Sequence, residues 1–180
     1  MHAHIETERL MLREFREKDA IELHKICNQD YILQWMPDWK LSVESLRELI
    51  KWFKQCYSNI YSSDIRVMLA VTLKTNSKLI GMVGIGPKKE VKYEIEVAYY
   101  ISKEFCNQGY ITEAIKALTE WVFENTEIEY LIAIIEPKNL SSQRVIEKCG
   151  FTNVDTKMIL NSGERETKPF FYYRLYNKQI

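Results

Sequence analysis

The stretch NQGYITEAIKALTEWVFE, residues 107–124, joins a strand-like run to a long amphipathic helix, which we predict over residues 112–124. A turn at this junction aims backbone N–H groups outward, and these groups carry the positive end of the helix dipole. Because Gly109 has no side chain, a diphosphate could approach the amides closely. An ordinary helix entry also explains the stretch, if Gly109 only takes a special backbone angle and Thr112 caps the helix.

Strand and helix patterns alternate on both sides of this helix. The predicted strands are residues 7–15, 67–73, 79–85, 93–101, 130–135, 154–160 and 170–176. Two further helices follow the caps Asp19 and Ser42, and another covers residues 141–149. The order β-α-α-β-β-β-α-β-α-β-β predicts one α/β domain over residues 1–180, an α+β mixed sheet with helices on both faces.

Composition excludes several classes of protein. Lys and Arg total 25 and Asp and Glu total 25, so no overall field attracts nucleic acid or an anionic membrane. No apolar run approaches the roughly 18 residues of a membrane span, and the first residues lack the pattern of a signal peptide. We therefore expect a cytoplasmic protein with neither a nucleic-acid nor a membrane partner.

The cysteines and histidines indicate no metal site. The cysteines lie far apart without a C-x-x-C pair, so we expect reduced thiols at Cys27, Cys56, Cys106 and Cys149. His2 and His4 belong to a segment that we expect to be frayed. Between the first two helices, the aromatic break at residues 35–39 is either packing against the domain or one wall of a substrate pocket.

A second informative stretch, NLSSQRVIEKCGF, occupies residues 139–151. Asn139 or Ser141 can cap its helix, Gly150 can end it, and Phe151 can pack against its last turn. Capping explains the stretch alone but does not explain why it follows the first stretch by one strand.

Four segments in order resemble the GNAT-type N-acetyltransferases, in particular the ribosomal-protein N-terminal alanine acetyltransferases. They are TERLMLR at residues 7–13, EVAYYI at 96–101, GYITEA at 109–114, and the stretch at 139–151. The resemblance covers nearly the whole chain. It implies a GNAT-like domain that transfers an acetyl group from acetyl-CoA, its cosubstrate, to a primary amine without a metal.

The acceptor is an expectation of the same kind. The resemblance favours a protein N-terminal α-amine, and a small-molecule amine is the alternative. A catalytically inactive CoA-binding or sensing module is a further alternative, since the diphosphate loop departs from the family pattern at Cys106, Asn107 and Ile111. These departures predict a cramped or altered loop. A monomer and a homodimer both remain open.

The resemblance also implies binding residues. The backbone at Tyr100, Ile101 and Ser102 would pair with the pantetheine amides, and the diphosphate would be held by Gln108, Gly109, Tyr110, Ile111 and Thr112. Asn139 would bind the pantetheine arm, and the Ser142 hydroxyl would help the thiolate leave. The ribose phosphate would meet Lys138, Arg144 or Lys148.

Glu94 and Glu96 share one face of a predicted strand. An α-amine has a pKa near 8 and a lysine amine near 10.4, so the acceptor must lose a proton before it attacks. Either carboxylate could take that proton, and either could be a solvated strand charge. Glu96 matches the family position and is the predicted catalytic base.

Overall fold

The computed structural model describes residues 4–59, 65–160 and 166–178. Its core is an eight-stranded mixed sheet in the order β1-β2-β3-β4-β5-β6-β8-β7. The strands are β1 (His4–Glu6), β2 (Leu10–Glu14), β3 (Val67–Leu73), β4 (Leu79–Lys88), β5 (Glu94–Ile101), β6 (Tyr130–Ile135), β7 (Thr152–Ile159) and β8 (Lys168–Tyr176). Only β5 and β6 run parallel among these paired strands.

The α-helices are α1 (Ala20–Cys27), α2 (Asp30–Leu33), α3 (Val43–Cys56), α4 (Tyr110–Asn125) and α5 (Leu140–Lys148). Both α1 and α4 contact β4. Every residue from Leu79 to Gly86 is buried, which requires cover on both faces of the strand. The predicted mixed-sheet α/β fold is therefore confirmed.

The helix caps agree with the sequence at one position and differ at another. Ser42 caps α3, because its hydroxyl accepts a hydrogen bond from the Ser45 N–H at 3.1 Å. Asp19 was predicted to cap α1, but its carboxylate makes no such bond. It instead pairs with Arg13 at 2.7 Å and accepts from the Arg16 N–H at 2.7 Å. A 3-10 turn before α1 directs the carboxylate back toward β2.

Two short elements were not predicted from the sequence. His4 lies in β1, which pairs with β2, so the expectation of a frayed segment is wrong for this residue; His2 lies outside the described residues. The four-residue helix α2 is too short to show a helical period. In the aromatic break after it, the Trp39 ring packs edge-on against Tyr100, with 5.0 Å between centroids.

Candidate active site

The sheet splits between β5 and β6. These strands share a single register pair, Glu96 with Ile132, although β5 continues to Ile101. On its other side β5 pairs with β4 along its full length. Beyond Glu96, one edge of β5 therefore faces no strand in the described part of the chain. An extended ligand that carries amide groups can pair with such an edge.

The register decides which backbone groups face the split. The Ser102 N–H donates to the Ile80 carbonyl at 2.7 Å, so Ser102 faces β4. Because backbone groups alternate in direction along an antiparallel strand, Tyr100 also faces β4, while Tyr99 and Ile101 face the split. Of the three predicted positions, Ile101 is thus the one with its backbone at the open edge. Tyr99 was missed because only the pairing partner reveals the direction.

The far wall of the split is the beginning of α5. The Tyr99 hydroxyl donates to the Ser142 carbonyl at 3.2 Å, which ties β5 to this helix. Burial raises the pKa of Tyr99, so its hydroxyl keeps its proton and remains a donor. The Cys149 thiol at the end of α5 contacts the Thr112 carbonyl of α4 at 3.6 Å. The two informative stretches of the sequence are therefore neighbours in space.

Asn139 and Ser142 take part in the N-terminal cap of α5, and each also has a polar group without a hydrogen bond in the described part of the chain. The Asn139 side-chain oxygen caps α5 by accepting from the Ser142 N–H at 3.1 Å and from the Ser141 hydroxyl at 2.9 Å. The Asn139 side-chain nitrogen and the Ser142 hydroxyl make no hydrogen bond within the described residues. Both can therefore still bond to a ligand.

The turn before α4 presents a line of free amides. Gly109 is the N-cap residue, in place of Thr112, and has a φ of 79°. The Glu113 N–H is the first that donates into the helix, to the Gly109 carbonyl at 3.0 Å. Among the described residues, no acceptor meets the N–H groups of residues 107–112. Gly109 thus takes the unusual backbone angle and also leaves the amides open to an anion.

The departures from the family pattern leave this line of amides intact. Ile111 is buried in the core. Asn107 takes a φ of 61°, a conformation that asparagine tolerates better than most residues. The Cys106 sulfur lies 3.6 Å from the Tyr31 hydroxyl and 3.8 Å from the Ser102 carbonyl. Ile111 and Cys106 are packed or paired elsewhere, and the N–H groups of residues 107–112 remain free beside them within the described residues.

Glu96 lies at the last paired position before the split. Burial raises its pKa from the ordinary 4.5 to about 7, with a smaller increase from Glu90. Lys88 and the backbone N–H of Ile134 act in the opposite direction. A partly buried carboxyl with a pKa near neutrality can exchange protons with an amine at physiological pH.

Glu94 shares this face of β5 but is held in a network. One of its carboxylate oxygens accepts from the Tyr130 hydroxyl at 2.8 Å and the Tyr172 hydroxyl at 2.7 Å. The same oxygen lies 3.3 Å from a guanidinium nitrogen of Arg174. Glu94 is therefore anchored to β6 and β8, whereas Glu96 has no salt-bridge partner among the described residues.

Other features neither extend nor compete with this site. The Tyr100 hydroxyl is buried and has no hydrogen-bond partner within the described residues. Lys138, Arg144 and Lys148 are all exposed, and their positions do not distinguish them. A cavity of about 660 Å³ lies along β1, β2 and β3, and its lining includes none of the predicted site residues.

The described part of the chain has neither a metal-binding cluster nor a membrane-spanning helix. No group of three His, Cys, Asp or Glu side chains in residues 4–59, 65–160 and 166–178 could hold a metal ion. No helix in the same ranges is long and apolar enough to cross a membrane. The cysteines form no disulfide with one another.

Comparison with known proteins yields one family and several relatives. Residues 9–152 match the family model described as the acetyltransferase (GNAT) domain. The uncharacterized N-acetyltransferase YnaD of Bacillus subtilis is 26% identical over 82% of this chain and 81% of its own length. The putative ribosomal N-acetyltransferase YdaF of the same organism is 27% identical over 80% of this chain and 78% of its own.

Solved structures share the fold. Mycobacterium smegmatis RimJ in complex with CoA-disulfide superposes with a TM-score of 0.77. The match covers 95% of this chain and 83% of that one at 17% identity. At this sequence identity the similarity shows a shared fold only.

Proposed function

This chain belongs to the GNAT family of N-acetyltransferases, and we propose that it transfers the acetyl group of acetyl-CoA to the α-amine of a protein N-terminus. The family membership makes the chain an acetyltransferase. The acceptor amine and the assignment of single residues are the proposed parts.

One observation supports acetyl-CoA as the ligand of this site: the open edge of β5 leads into the line of free N–H groups at residues 107–112. Acetyl-CoA joins a chain with two amides to a diphosphate, and it supplies an activated acyl group as a thioester. The groups fit this ligand, since Tyr99 and Ile101 offer backbone partners at the open edge. The amides of residues 107–112 offer donors to an anion.

Glu96 accepts the proton of the acceptor amine, directly or through water. A carboxylate with a pKa of about 7 is ionised in roughly half of the molecules at neutral pH. Glu94 is the weaker candidate because three donors already surround one of its oxygens. The Ser142 hydroxyl has no partner among the described residues and can donate to the departing sulfur.

The pKa of Glu96 supports an α-amine over a lysine side chain. An α-amine has a pKa near 8, so about a tenth is neutral at pH 7, whereas less than about a thousandth of lysine amines are neutral. A base with a pKa of about 7 lies closer to the first value than to the second, and a small-molecule amine with a pKa near 8 would suit it equally. The similarity to a putative ribosomal N-acetyltransferase points the same way.

An acceptor screen tests the proposal. Folded protein is incubated with acetyl-CoA and peptides in matched pairs, one with a free N-terminus and one with a blocked N-terminus and a free lysine. Mass spectrometry should find acetylation at the free N-terminus only. Modification confined to polyamines or other small amines in a parallel panel would transfer the proposal to the small-molecule alternative. CoA binding without any transfer would favour the binding module.

A further inference from the structure

The turn between β1 and β2 reaches across to the beginning of α4. Arg9 donates from Nε to a Glu113 carboxylate oxygen at 2.7 Å, and its Nη2 lies 2.7 Å from the same oxygen. The other oxygen accepts from the Thr7 hydroxyl at 2.5 Å and from the Arg9 backbone N–H at 2.9 Å. The Arg9 Nη1 donates to the Gln108 carbonyl at 2.9 Å. Arg9 and Glu113 together form what we call the loop brace.

The loop brace is charge-balanced and packs against an aromatic ring. The Arg9 guanidinium lies over the Tyr110 ring at 4.3 Å from its centroid. Burial works to raise the pKa of Glu113, but the hydrogen bonds from Thr7 and Arg9 outweigh it and lower the pKa. Glu113 is therefore ionised, and Arg9 compensates its charge.

We propose that the loop brace positions the free amides of residues 107–112 for the diphosphate of acetyl-CoA, so that Arg9 and Glu113 are positioning residues of the reaction. This inference rests on the proposed function. In a trans peptide the C=O and N–H groups point in opposite directions. Because Arg9 holds the Gln108 carbonyl, the Gly109 N–H must point away from Arg9, toward the open side of the turn.

A direct contact between Arg9 and phosphate is a different role. Arg9 Nε and Nη1 already have acceptors, Nη2 lies in ion-pair contact with Glu113, and that carboxylate compensates the charge. The two roles predict different behaviour of Arg9→Lys. Lysine keeps the charge, but its single nitrogen cannot replace both the bond to the Gln108 carbonyl and the two-nitrogen contact with Glu113. The loop brace therefore predicts that Arg9→Lys weakens CoA binding almost as much as an uncharged residue at this position does.

The test is calorimetric titration of CoA into the full chain. Arg9→Gln and Arg9→Lys should each weaken CoA binding by about tenfold, and the KM for acetyl-CoA should rise while kcat stays within about twofold. Arg13→Gln is the matched control. It breaks another arginine ion pair, with Asp19, in the adjoining strand β2 but outside the candidate site. It should lower the unfolding midpoint and leave CoA affinity unchanged.

Glu113→Gln is an independent test, because its two possible effects on CoA affinity have opposite signs. Removing a negative charge near an anion site strengthens anion binding by electrostatics alone. Loss of the brace weakens binding, and we expect the weakening. Retained or increased CoA affinity in Glu113→Gln, or wild-type affinity in Arg9→Lys, would overturn the inference while the proposed function stands. A wild-type protein that binds no CoA would overturn both.

Discussion

Replacing Glu96 by glutamine tests the candidate base and the burial of its carboxyl together. The amide keeps the shape and cannot accept the proton of the amine. Loss of a general base at this position should lower kcat by roughly 10² to 10⁴ with CoA affinity retained. The wild-type rate should decrease as the pH is lowered through 7, because protonation of Glu96 removes the base. The variant should lack this decrease near pH 7. Its rate should recover partly at higher pH, because the amine itself becomes neutral.

The same change should stabilise the protein. The folded-state pKa of Glu96 is raised from 4.5 to about 7, so ionised Glu96 destabilises the fold. The difference corresponds to at most ~3 kcal/mol at ~1.4 kcal/mol per pKa unit. Partial exposure of Glu96 reduces this to ~1–2 kcal/mol. The cost is absent below pH 4.5, grows as the pH rises toward 7, and is fully present above it.

The assays are steady-state rates from about pH 6 to 9 and thermal unfolding at about pH 8 and pH 4.5. For a chain of this size, ~1–2 kcal/mol corresponds to a rise in Tm of about 2–8 °C at pH 8. Glu94→Gln is the control, because it makes the same change on the same face but removes the negative charge that strengthens the bonds from Tyr130, Tyr172 and Arg174. It should lower the Tm. Wild-type rate and pH profile in Glu96→Gln would refute the assignment of the base, and an unchanged or lowered Tm at pH 8 would refute the burial argument.

Two further changes test the rest of the site. Gly109→Val places a Cβ at a φ of 79° and 3.4 Å from Arg9 Nη2, which strains the turn that carries the free amides, and it should weaken CoA binding by at least tenfold in calorimetry. Gly150→Val controls for backbone strain, since it stands at a φ of 93° outside the loop and should cost stability without changing CoA affinity; equal affinity in both variants would refute the amide site. Ser142→Ala should lower kcat by about tenfold with CoA affinity kept, because a thiol with a pKa near 8.5 leaves tolerably well unaided. An unchanged kcat would leave Ser142 with a structural role only.

The local patterns of the sequence were sufficient for most of the elements. The stretch before Gly150 predicted α5 within one residue at each end, and Ser42 predicted where α3 begins. Strand β6 was predicted at its observed bounds. Elements that were missed are short: β1 has three residues and α2 has four, too few to show a period.

Residue types and their order also determined the family and the two loops of the candidate site. Gly109 and Asn139 are recognisable because each is required locally, one by a positive φ and the other by a helix start. Such requirements act over a few residues and can be read without knowing the partners. The loops stay predicted binding sites until a ligand is tested.

Only the tertiary structure decided which partners residues distant in the sequence have. Strand alternation places Glu94 and Glu96 on one face without showing their neighbours, but β6 and β8 supply donors to Glu94 and leave Glu96 at the edge of the split. The direction of the Tyr99 and Ile101 backbone follows from the register with β4. Arg9 reaches Glu113 across about a hundred residues of chain because β2 and α4 pack together. A carboxylate's pKa and a backbone group's availability depend on neighbours brought together by folding, and a one-dimensional pattern does not contain those neighbours.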